Sequence, residues 1–350
     1  MEKVLVIAEE IFLNLYRPGL EYYSKNHDNL TIDIYCLDVP KKELNIFDRL
    51  RYKFDINCFK KKYYDKKRQE LSEIVKKYDT ILFINLFYDD EYFIQGKFRE
   101  ELKKKNVKLY FVDTVKSINP NIDFFDVFSK VYSFEEGDVQ FLKEKYNRDS
   151  TYLPVGTSYK YFIDDDLLGV DRDIDVCFVG IASPKRLEYL EAIADYCNKN
   201  GFKIFIAGHF WHNNNWLNYT IGKMKFARKH PLISHYVQNI FIQPNDLAKI
   251  YCRSKIVLNI NMAYHKNPNQ RNFDVMVCKS LLITDKQEIG NLKLVNGKEF
   301  IMTDGVENMV KAIDYYLHHE DERLKIAKAG QKNAEQNFLY EKTLNILFGR

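Results

Sequence analysis

Short apolar runs alternate with helical patterns along most of the chain, and this alternation restricts the fold more than any other feature. In the first half the runs lie at 4–8, 31–37, 80–87, 107–113 and 127–134. Uninterrupted apolar runs of this length are typical of strands that are covered on both faces of a parallel sheet. The helical stretches between them can supply the crossover connections that parallel strands require. The sequence therefore predicts an α/β fold with doubly wound sheets.

The alternation stops at 152–173 and then begins again. This segment contains Pro154, Gly156, Gly169 and a cluster of acidic residues, a composition that favours a connection over a regular element. Further strands are predicted at 174–180, 203–208, 239–244, 255–261 and 280–285. We therefore expect a first Rossmann-like domain at 1–155, a linker at 156–173, a second Rossmann-like domain at 174–335, and a C-terminal helix at 336–350 that packs back on the first domain.

The composition agrees with two globular domains. The chain has 350 residues, of which 46% are hydrophobic and 29% charged, and its net charge is only +4. Its six cysteines include no C-x-x-C pair, which favours reduced, buried thiols. The N-terminus lacks the long apolar region of a signal peptide, and no stretch is long enough to span a membrane. We expect a cytoplasmic protein, with at most peripheral contact at the inner face of the cell membrane.

The strongest candidate for a functional site is NPNQRNFDVMVCKSLLITD at 267–285, where a short polar loop and one helix separate two apolar runs. Asn269 and Gln270 precede the helix and Arg271 opens it, so free backbone N–H groups and a guanidinium would face a phosphate together. Asp274 follows one turn later on the same face and could accept hydrogen bonds from ribose hydroxyls. The spacing is equally compatible with a first-turn acid that stabilises the helix dipole and a surface arginine.

The same segment resembles the donor site of GT-B glycosyltransferases, in which two Rossmann-like domains face a central cleft. The pattern R-x-F-D-V-M-V-C-K-S-L-L-I-T-D is similar to the CgeB-like branch, glycosyl transferases group 1, where R-x-F-E-x-x-A-C-G precedes an apolar strand ending in Thr-Asp. The segments IFIQPNDLAKIYCRSKIVLNIN and YYLHHEDERLKIAKAGQKNAEQNFLYEKTLNIL resemble the family's base-pocket region and C-terminal helices, and YLPVGTSYKYF resembles its linker. The first half is similar in layout only.

The resemblance implies an enzyme of polysaccharide biosynthesis. It would transfer a sugar from a nucleotide-diphosphate sugar, UDP-linked as the first expectation, to a hydroxyl of a glycan or lipid-linked glycan. It also implies that no cofactor and no metal ion are needed. Arg271 would bind the diphosphate, with Asn269, Gln270 and Asp274 as further donor-binding residues.

Three positions depart from the family pattern. Asp274 replaces the usual glutamate, Lys279 replaces the usual glycine after Cys278, and Lys266 occupies the position of a second, upstream acid. These departures leave open the donor sugar and the retaining or inverting outcome. They also keep two alternatives: a non-catalytic nucleotide-sugar-binding or assembly partner with the same fold, and a polyol-phosphate transferase.

Two further loops follow strands of the second half. The sequence GIASPKRLEYL places Lys185 and Arg186 at a helix start behind Gly180, and the resemblance implies a basic residue here that neutralises the leaving diphosphate, with Arg186 as our choice. The alternative is two exposed helix charges and an ordinary turn glycine. His209 in AGHFWHNNNW could contact the nucleotide or the sugar. His209 and His212 form an H-x-x-H pair, but no third ligand has a suitable spacing, so no metal site is predicted.

The first half offers candidates for the acceptor site. Arg17 and Gly19 in NLYRPGL follow the first strand and would face the acceptor. Asp113 ends the strand VKLYFVD, and the resemblance implies an acceptor contact or catalytic base near this position. Asp89, with its neighbour Asp90, is the rival after 80–87. Each acid could instead cap a helix or face solvent.

The segment 41–70 is basic and contains interleaved aromatic residues. A solvated helix face is one interpretation, and a peripheral contact with an anionic membrane that carries a lipid-linked acceptor is another. Nucleic-acid binding is the third, but the chain offers no nucleic-acid-binding motif, so we expect no nucleic-acid partner. The repeated D-x-D of DRDID at 171–175 lies where the connection meets a strand and is not interpreted as a metal site.

Overall fold

The computed structural model describes residues 2–38, 45–48, 50, 56–86, 93–115, 125–209, 211–212 and 216–350. The chain forms two compact units. The first comprises Met1–Pro154 and Thr343–Arg350, and the second comprises Val155–Lys342. Residues 156–173, which we expected to form the linker, are thus part of the second unit. Tyr159 and Ile163 from this segment are buried in the second unit's core.

Within its described residues, the first unit has one six-stranded sheet in the order β2-β1-β3-β4-β5-β6. All its neighbouring strands are parallel. The strands are β1 (Glu2–Ala8), β2 (Leu30–Cys36), β3 (Thr80–Ile84), β4 (Asn106–Phe111), β5 (Lys130–Ser133) and β6 (Thr151–Tyr152). The helices are α1 (Glu10–Lys25), α2 (Ile56–Ile74), α3 (Gly96–Leu102) and α4 (Glu136–Tyr146).

The second unit repeats this architecture with a sheet in the order β12-β11-β10-β7-β8-β9, again parallel throughout its described part. The strands are β7 (Ile174–Val179), β8 (Ile204–Ala207), β9 (Val237–Gln238), β10 (Ser254–Asn259), β11 (Leu281–Thr284) and β12 (Ile301–Met302). The helices are α5 (Asp165–Leu168), α6 (Pro184–Asn200), α7 (Trp216–Lys229), α8 (Pro231–Ser234), α9 (Pro244–Cys252), α10 (Gln270–Val277), α11 (Val306–His318), α12 (Glu320–Asn337) and α13 (Tyr340–Phe348). Helix α13 begins in the second unit and ends in the first.

The predicted α/β class with two doubly wound, parallel sheets is confirmed, because nearly every long apolar run became a buried strand. The prediction of a strand at 239–244 is wrong. The described strand that precedes this range, β9, pairs two residues with β8 and ends at Gln238. Ile240 and Phe241 follow it with 47% of their surface exposed, and Pro244 already begins α9. Two of the three apolar side chains of this run therefore face solvent, and only Ile242 packs against the core.

The end of the chain is held by polar contacts inside the first unit. The hydroxyl of Tyr23 donates to Oδ1 of Asn345 over 2.5 Å. The ammonium group of Lys108, a buried residue of the central strand β4, donates to the carbonyl of Leu347 over 2.5 Å. Burial lowers the pKa of this lysine, so the carbonyl acceptor compensates a desolvated donor.

Helix α10 is buried on nearly all sides, from Asn272 to Val277. Its C-terminal end is held by Arg172, which donates to the carbonyls of Cys278 and Lys279 over 3.2 and 2.8 Å. Cations at a helix C-terminus satisfy carbonyls that have no partner within the helix. Arg172 is part of DRDID, and the acids of this motif are also engaged: Asp173 pairs with Arg253, and Asp175 with Lys255.

Lys279 follows α10 in the left-handed conformation, with φ of 56°. A residue with a Cβ is strained in this conformation, whereas glycine adopts it freely. The glycine that is usual at this position in the family pattern therefore has a local explanation as a helix stop, independent of any ligand.

We predict that Lys279→Gly raises the free energy of unfolding by up to about 1 kcal/mol, because it removes this strain. Lys279→Ala is the matched control, since it removes the same side chain but retains the Cβ. Chemical denaturation of both variants beside the wild type measures the difference. Equal stability of the two variants would show that the left-handed backbone carries no cost at this position.

Candidate functional site

The predicted donor-site residues lie along the carboxyl edge of the second sheet. Gly180 follows β7, His209 follows β8, and Asn269 caps α10 after β10. In parallel α/β sheets this edge is where ligands bind, because loops and helix N-termini collect there. The Asn269 side chain accepts a hydrogen bond from the backbone N–H of Arg271 over 3.1 Å, and the helix begins at Gln270, one residue before the predicted start.

Two guanidinium groups flank the ring of Phe178 at the end of β7. The guanidinium carbons of Arg186 and Arg271 lie 5.6 and 5.7 Å from the ring centroid. Gly180 lies against both: a Cβ at this residue would be 3.2 Å from Nη2 of Arg271 and 3.4 Å from Nη1 of Arg186. Neither arginine forms an ion pair with a carboxylate in the described part of the chain. The cluster therefore brings two positive charges together without a direct ion pair to either of them.

Backbone and amide acceptors hold the two guanidinium groups in place. Arg186 is 5% exposed and donates from Nε to the carbonyl of Ile260 over 2.8 Å and from Nη1 to the carbonyl of Ile181 over 3.0 Å. Arg271 donates from Nη1 to Oδ1 of Asn259 over 2.8 Å. Burial and then the charge of Arg271 lower the pKa of Arg186 to about 9, so Arg186 is cationic at neutral pH.

An amide network supports Arg271, and sequence reasoning missed it. Asn259 donates to Oδ1 of Asn269 and of Asn272, and Asn269 donates to Oδ1 of Asn261 over 2.8 Å. Asn272 continues the network to Oε1 of Gln287 over 2.8 Å. The signal in the sequence was IVLNINM: two amides at alternate positions, at the end of an otherwise apolar strand, have no place in a plain hydrophobic core.

Asp274 lies behind Arg271 and is 6% exposed. Its Oδ1 accepts a hydrogen bond from the hydroxyl of Thr157 over 2.6 Å. Burial raises the pKa of Asp274 to about 7, against the opposing effects of the Thr157 hydrogen bond and the charge of Arg271. The carboxyl group is thus close to half protonated at neutral pH, and one of its oxygens is already occupied. Its role as a ribose ligand stays a prediction.

Lys185 and Arg186, adjacent in sequence, have different partners. The ammonium group of Lys185 pairs with Oδ2 of Asp285 over 2.5 Å. Asp285 is 1% exposed and accepts through Oδ1 from the backbone N–H of Asn261 over 3.1 Å. Lys185 is therefore partly neutralised, whereas Arg186 is not. This contrast favours Arg186 as the residue that meets an anionic ligand.

Gly208 is a second glycine that the edge requires, and sequence reasoning did not select it. Its φ is 145°, and a Cβ there would lie 2.0 Å from the carbonyl oxygen of Gly180. No side chain fits between these two backbones, so the loops after β7 and β8 approach each other through a pair of glycines. The close approach explains why residue 208 is glycine, whereas a side chain at Gly180 would crowd Phe178 and the two guanidinium groups.

His209 follows this contact, and its ring stacks on Phe241 at a centroid separation of 5.6 Å. The pair forms a half-exposed aromatic surface at the same edge of the sheet, where a planar group could stack. No group of three His, Cys, Asp or Glu side chains in the described ranges is placed to hold a metal ion.

The candidates in the first unit are scattered over different elements. Arg17 and Gly19 lie inside α1, where Arg17 pairs with Glu10 over 3.7 Å and Gly19 is buried. They follow the first strand as expected, but inside a helix that a single residue, Glu9, separates from β1, and their role at the acceptor stays a prediction. Asp113 follows β4, and its Oδ1 accepts from the backbone N–H of Thr114 over 2.8 Å. Asp89 and Asp90 lie outside the described residues.

Lys266, at the position of the missing upstream acid, pairs with Glu288 over 3.2 Å, and both side chains are largely exposed.

Within the portion described, no helix is both long and apolar enough to cross a bilayer. Of the basic segment 41–70, residues 41–44, 49 and 51–55 lie outside the described part. In its described part, Lys67 lies 4.4 Å from the ring centroid of Tyr35.

Comparison with known proteins links this geometry to a family. Residues 186–348 match the family described as "Glycosyl transferase-like". This range includes both arginines, the amide network and Asp274. A search of curated protein sequences gave no match. The match supports the predicted GT-B glycosyltransferase, while the narrower CgeB-like assignment stays a prediction.

Solved structures show the same fold over the whole chain. Sucrose-phosphate synthase from Thermosynechococcus elongatus has a TM-score of 0.65 at 12% identity and covers 100% of this chain and 98% of its own. HepE from Anabaena in complex with UDP-glucose has a TM-score of 0.66 at 11% identity, with 100% of both chains covered. A UDP-N-acetylglucosamine 2-epimerase, so titled as putative, from Listeria monocytogenes has a TM-score of 0.59 at 11% identity, with 99% and 94% covered. At these identities the likeness establishes the GT-B fold.

We predict that Asp274 makes stability depend on pH. Its pKa in the folded protein, about 7, is above its ordinary value of 3.8, so the folded state retains a proton that the unfolded state loses in this window. The stability contributed by the protonated form should therefore be lost as pH rises through about 7, by an amount of the order of a few kcal/mol.

Melting temperatures of wild type and Asp274→Asn between about pH 4 and about pH 8 test this prediction. The wild type should lose stability relative to Asp274→Asn over this range. Asp304→Asn, which changes an exposed carboxylate, is the control and should run parallel to the wild type. A constant difference between wild type and Asp274→Asn across the range would contradict the raised pKa.

Proposed function

We propose that this GT-B glycosyltransferase, whose glycosyl transferase-like region at 186–348 contains the arginine cluster, transfers a sugar from a nucleotide-diphosphate sugar to a hydroxyl of a glycan or lipid-linked glycan. The observation that carries the proposal is the pair Arg186 and Arg271, which share Phe178 and Gly180 and have no acidic partner in the described chain. A diphosphate supplies the two negative charges that this cluster lacks.

The transfer makes and breaks one bond at the anomeric carbon. The acceptor hydroxyl oxygen bonds to this carbon, the bond from the carbon to the diphosphate oxygen breaks, and its electron pair remains on the diphosphate. Arg186 and Arg271 stabilise the charge that develops there, which lowers the barrier because they are already fixed in place before reaction. The proton of the hydroxyl leaves to a base, for which Asp113 is our candidate in an inverting reaction.

UDP is the first candidate for the nucleotide. The HepE complex with UDP-glucose supports this choice, since that protein shares the fold over its whole length. The stacked pair of His209 and Phe241 offers a planar surface for a base or a sugar ring at the same edge. Two guanidinium groups can neutralise the leaving group by themselves, so we expect the reaction to need no metal ion.

The basic segment 41–70 is the proposed contact with the acceptor's membrane. The described residues 45–48 of the basic segment include Ile46 and Phe47, which are 74% and 78% exposed. Exposed apolar side chains within a basic segment are suited to an anionic membrane surface. A peripheral contact through 41–70 would bring the enzyme to a lipid-linked acceptor.

We predict that Arg271→Ala weakens the binding of the nucleoside diphosphate by about tenfold to a hundredfold, because a charge-assisted bond to phosphate is lost. Thermal shift with UDP, GDP, CDP, dTDP and ADP, with and without EDTA, identifies the nucleotide. Trp211 packs against Phe178, so its fluorescence gives a second binding signal. Arg253→Ala is the control, since that arginine pairs with Asp173 elsewhere in the unit.

Because Arg186 is buried, its test is the conservative variant Arg186→Lys, which retains the charge but removes the planar guanidinium fork. The variant Gly180→Ala displaces both guanidinium groups without a change of charge. We expect weaker binding in each. If none of the nucleoside diphosphates binds the wild type, or if binding is unchanged in Arg271→Ala, this site is excluded for the donor. Loss of binding in EDTA would contradict metal independence.

We predict that Asp113→Asn lowers turnover by at least about a hundredfold while the donor affinity stays unchanged, because an amide cannot accept the hydroxyl proton. The measurement is nucleotide release from the matching sugar nucleotide with and without an acceptor hydroxyl. Asp126→Asn, a carboxylate paired with Arg99 in the same unit, is the control. Unchanged turnover in Asp113→Asn would assign the base elsewhere, and donor binding without any turnover would favour the non-catalytic alternative.

A further inference from the structure

Helix α7 presents an exposed face that the donor site does not use. Ile221 and Met224 are 48% and 60% exposed, and Lys225 and Arg228 are exposed beside them. These four residues lie at i, i+3, i+4 and i+7, so they share one face of the helix. Two aliphatic side chains on the same solvent-exposed face, flanked by cations, form a basic amphipathic surface.

The orientation of this face is fixed from the other side of the helix. Phe226 packs against the core of the second unit and lies 6.2 Å from the ring of Trp211, centroid to centroid. Its position on the helix is opposite to the stripe that contains Ile221 and Arg228. Rotation of α7 that would bury Ile221 and Met224 would expose Phe226, so the exposed face is a stable feature of the fold.

The charges of α7 are uncompensated. The sequence WLNYTIGKMKFARK contains Lys223, Lys225, Arg228 and Lys229 but no acidic residue. None of these four forms an ion pair among the residues described. Two other exposed helices of the same unit contain paired cations: Lys199 pairs with Asp195, and Lys249 with Asp246.

An adjacent loop adds exposed apolar surface. Asn239 accepts a hydrogen bond from the backbone N–H of Trp211 over 3.2 Å, and its amide also contacts His212. The loop of Asn239 continues into Ile240 and Phe241, both 47% exposed. Asn239 thus connects the chain segment that leads into α7 to a loop in which Ile240 and Phe241 face solvent.

We propose that the face of Ile221, Met224, Lys225 and Arg228 is a docking surface for an anionic lipid membrane. The cations are attracted to the negative headgroups, and the aliphatic side chains enter the boundary between headgroups and acyl chains. A second copy of this chain is disfavoured, since a symmetric contact would oppose Lys225 and Arg228 of one copy with the same two cations of the other. Nucleic acid is disfavoured because the apolar residues of the face are aliphatic and give no ring for a base to stack on.

This surface belongs to the second unit and is separate from the segment 41–70 of the first. A glycosyltransferase that docks through it would be held at the surface where a lipid-linked acceptor resides. The inference stands on α7 alone and does not require the proposed donor or its nucleotide.

Co-sedimentation with vesicles tests the proposal. One vesicle preparation contains phosphatidylcholine alone and the other contains phosphatidylcholine mixed with phosphatidylglycerol. We expect the wild type to bind only the anionic vesicles. The double variant Lys225→Glu with Arg228→Glu should bind them at least about tenfold more weakly, because two attractive charges become repulsive. The double variant Ile221→Ser with Met224→Ser should also bind more weakly, and its remaining binding should be more sensitive to salt.

The matched control is Lys199→Glu with Lys249→Glu, which makes the same change in net charge on two other exposed helices. This control should retain binding. The proposal is overturned if the wild type does not bind anionic vesicles, if the control loses as much affinity as the α7 variant, or if a duplex or single-stranded RNA binds the face more tightly than the vesicles do. Thermal shift with the nucleotide on the same variants separates this result from the donor site, since the α7 variants should retain their nucleotide response.

Discussion

The repulsion between Arg186 and Arg271 is the interaction on which the second unit's site depends. Two cations near one ring and one glycine, without a carboxylate beside them, are costly in a protein interior. The fold tolerates them through the face of Phe178, the carbonyls of Ile260 and Ile181, and the amide of Asn259. An anion that binds here relieves the repulsion, so the structure is predisposed to a phosphate ligand before any ligand arrives.

The choice of neighbours preserves this excess of positive charge. The residues that position Arg271 are neutral amides, which donate and accept hydrogen bonds but bring no competing negative charge. The nearby carboxyl groups are engaged elsewhere: Asp285 pairs with Lys185, and Asp274 accepts from Thr157 and has a raised pKa. A carboxylate in place of Asn259 would bind Arg271 directly and would weaken its attraction for a diphosphate.

The fold and the site carry different amounts of information about the reaction. Proteins with the same architecture include a sucrose-phosphate synthase and a protein titled as an epimerase, so two parallel sheets do not determine the chemistry. The region that matches the glycosyl transferase-like family contains the arginine cluster and its amide support. The shared architecture therefore leaves open which residues select the sugar and the acceptor, and these roles stay predictions.

The sequence by itself determined the α/β class, most of the strands and the start of α10 to within one residue, because apolar period and helix caps are local properties. It also identified Arg186, Arg271 and Gly180, since each stands directly after a strand or at a helix start. Only the tertiary structure decided that Lys185 is paired and Arg186 is not, that Gly208 must approach Gly180, and that Asp274 is buried against Thr157. It also showed that 239–244 lacks a strand, because burial and pairing depend on residues far away in the chain, which no local pattern contains.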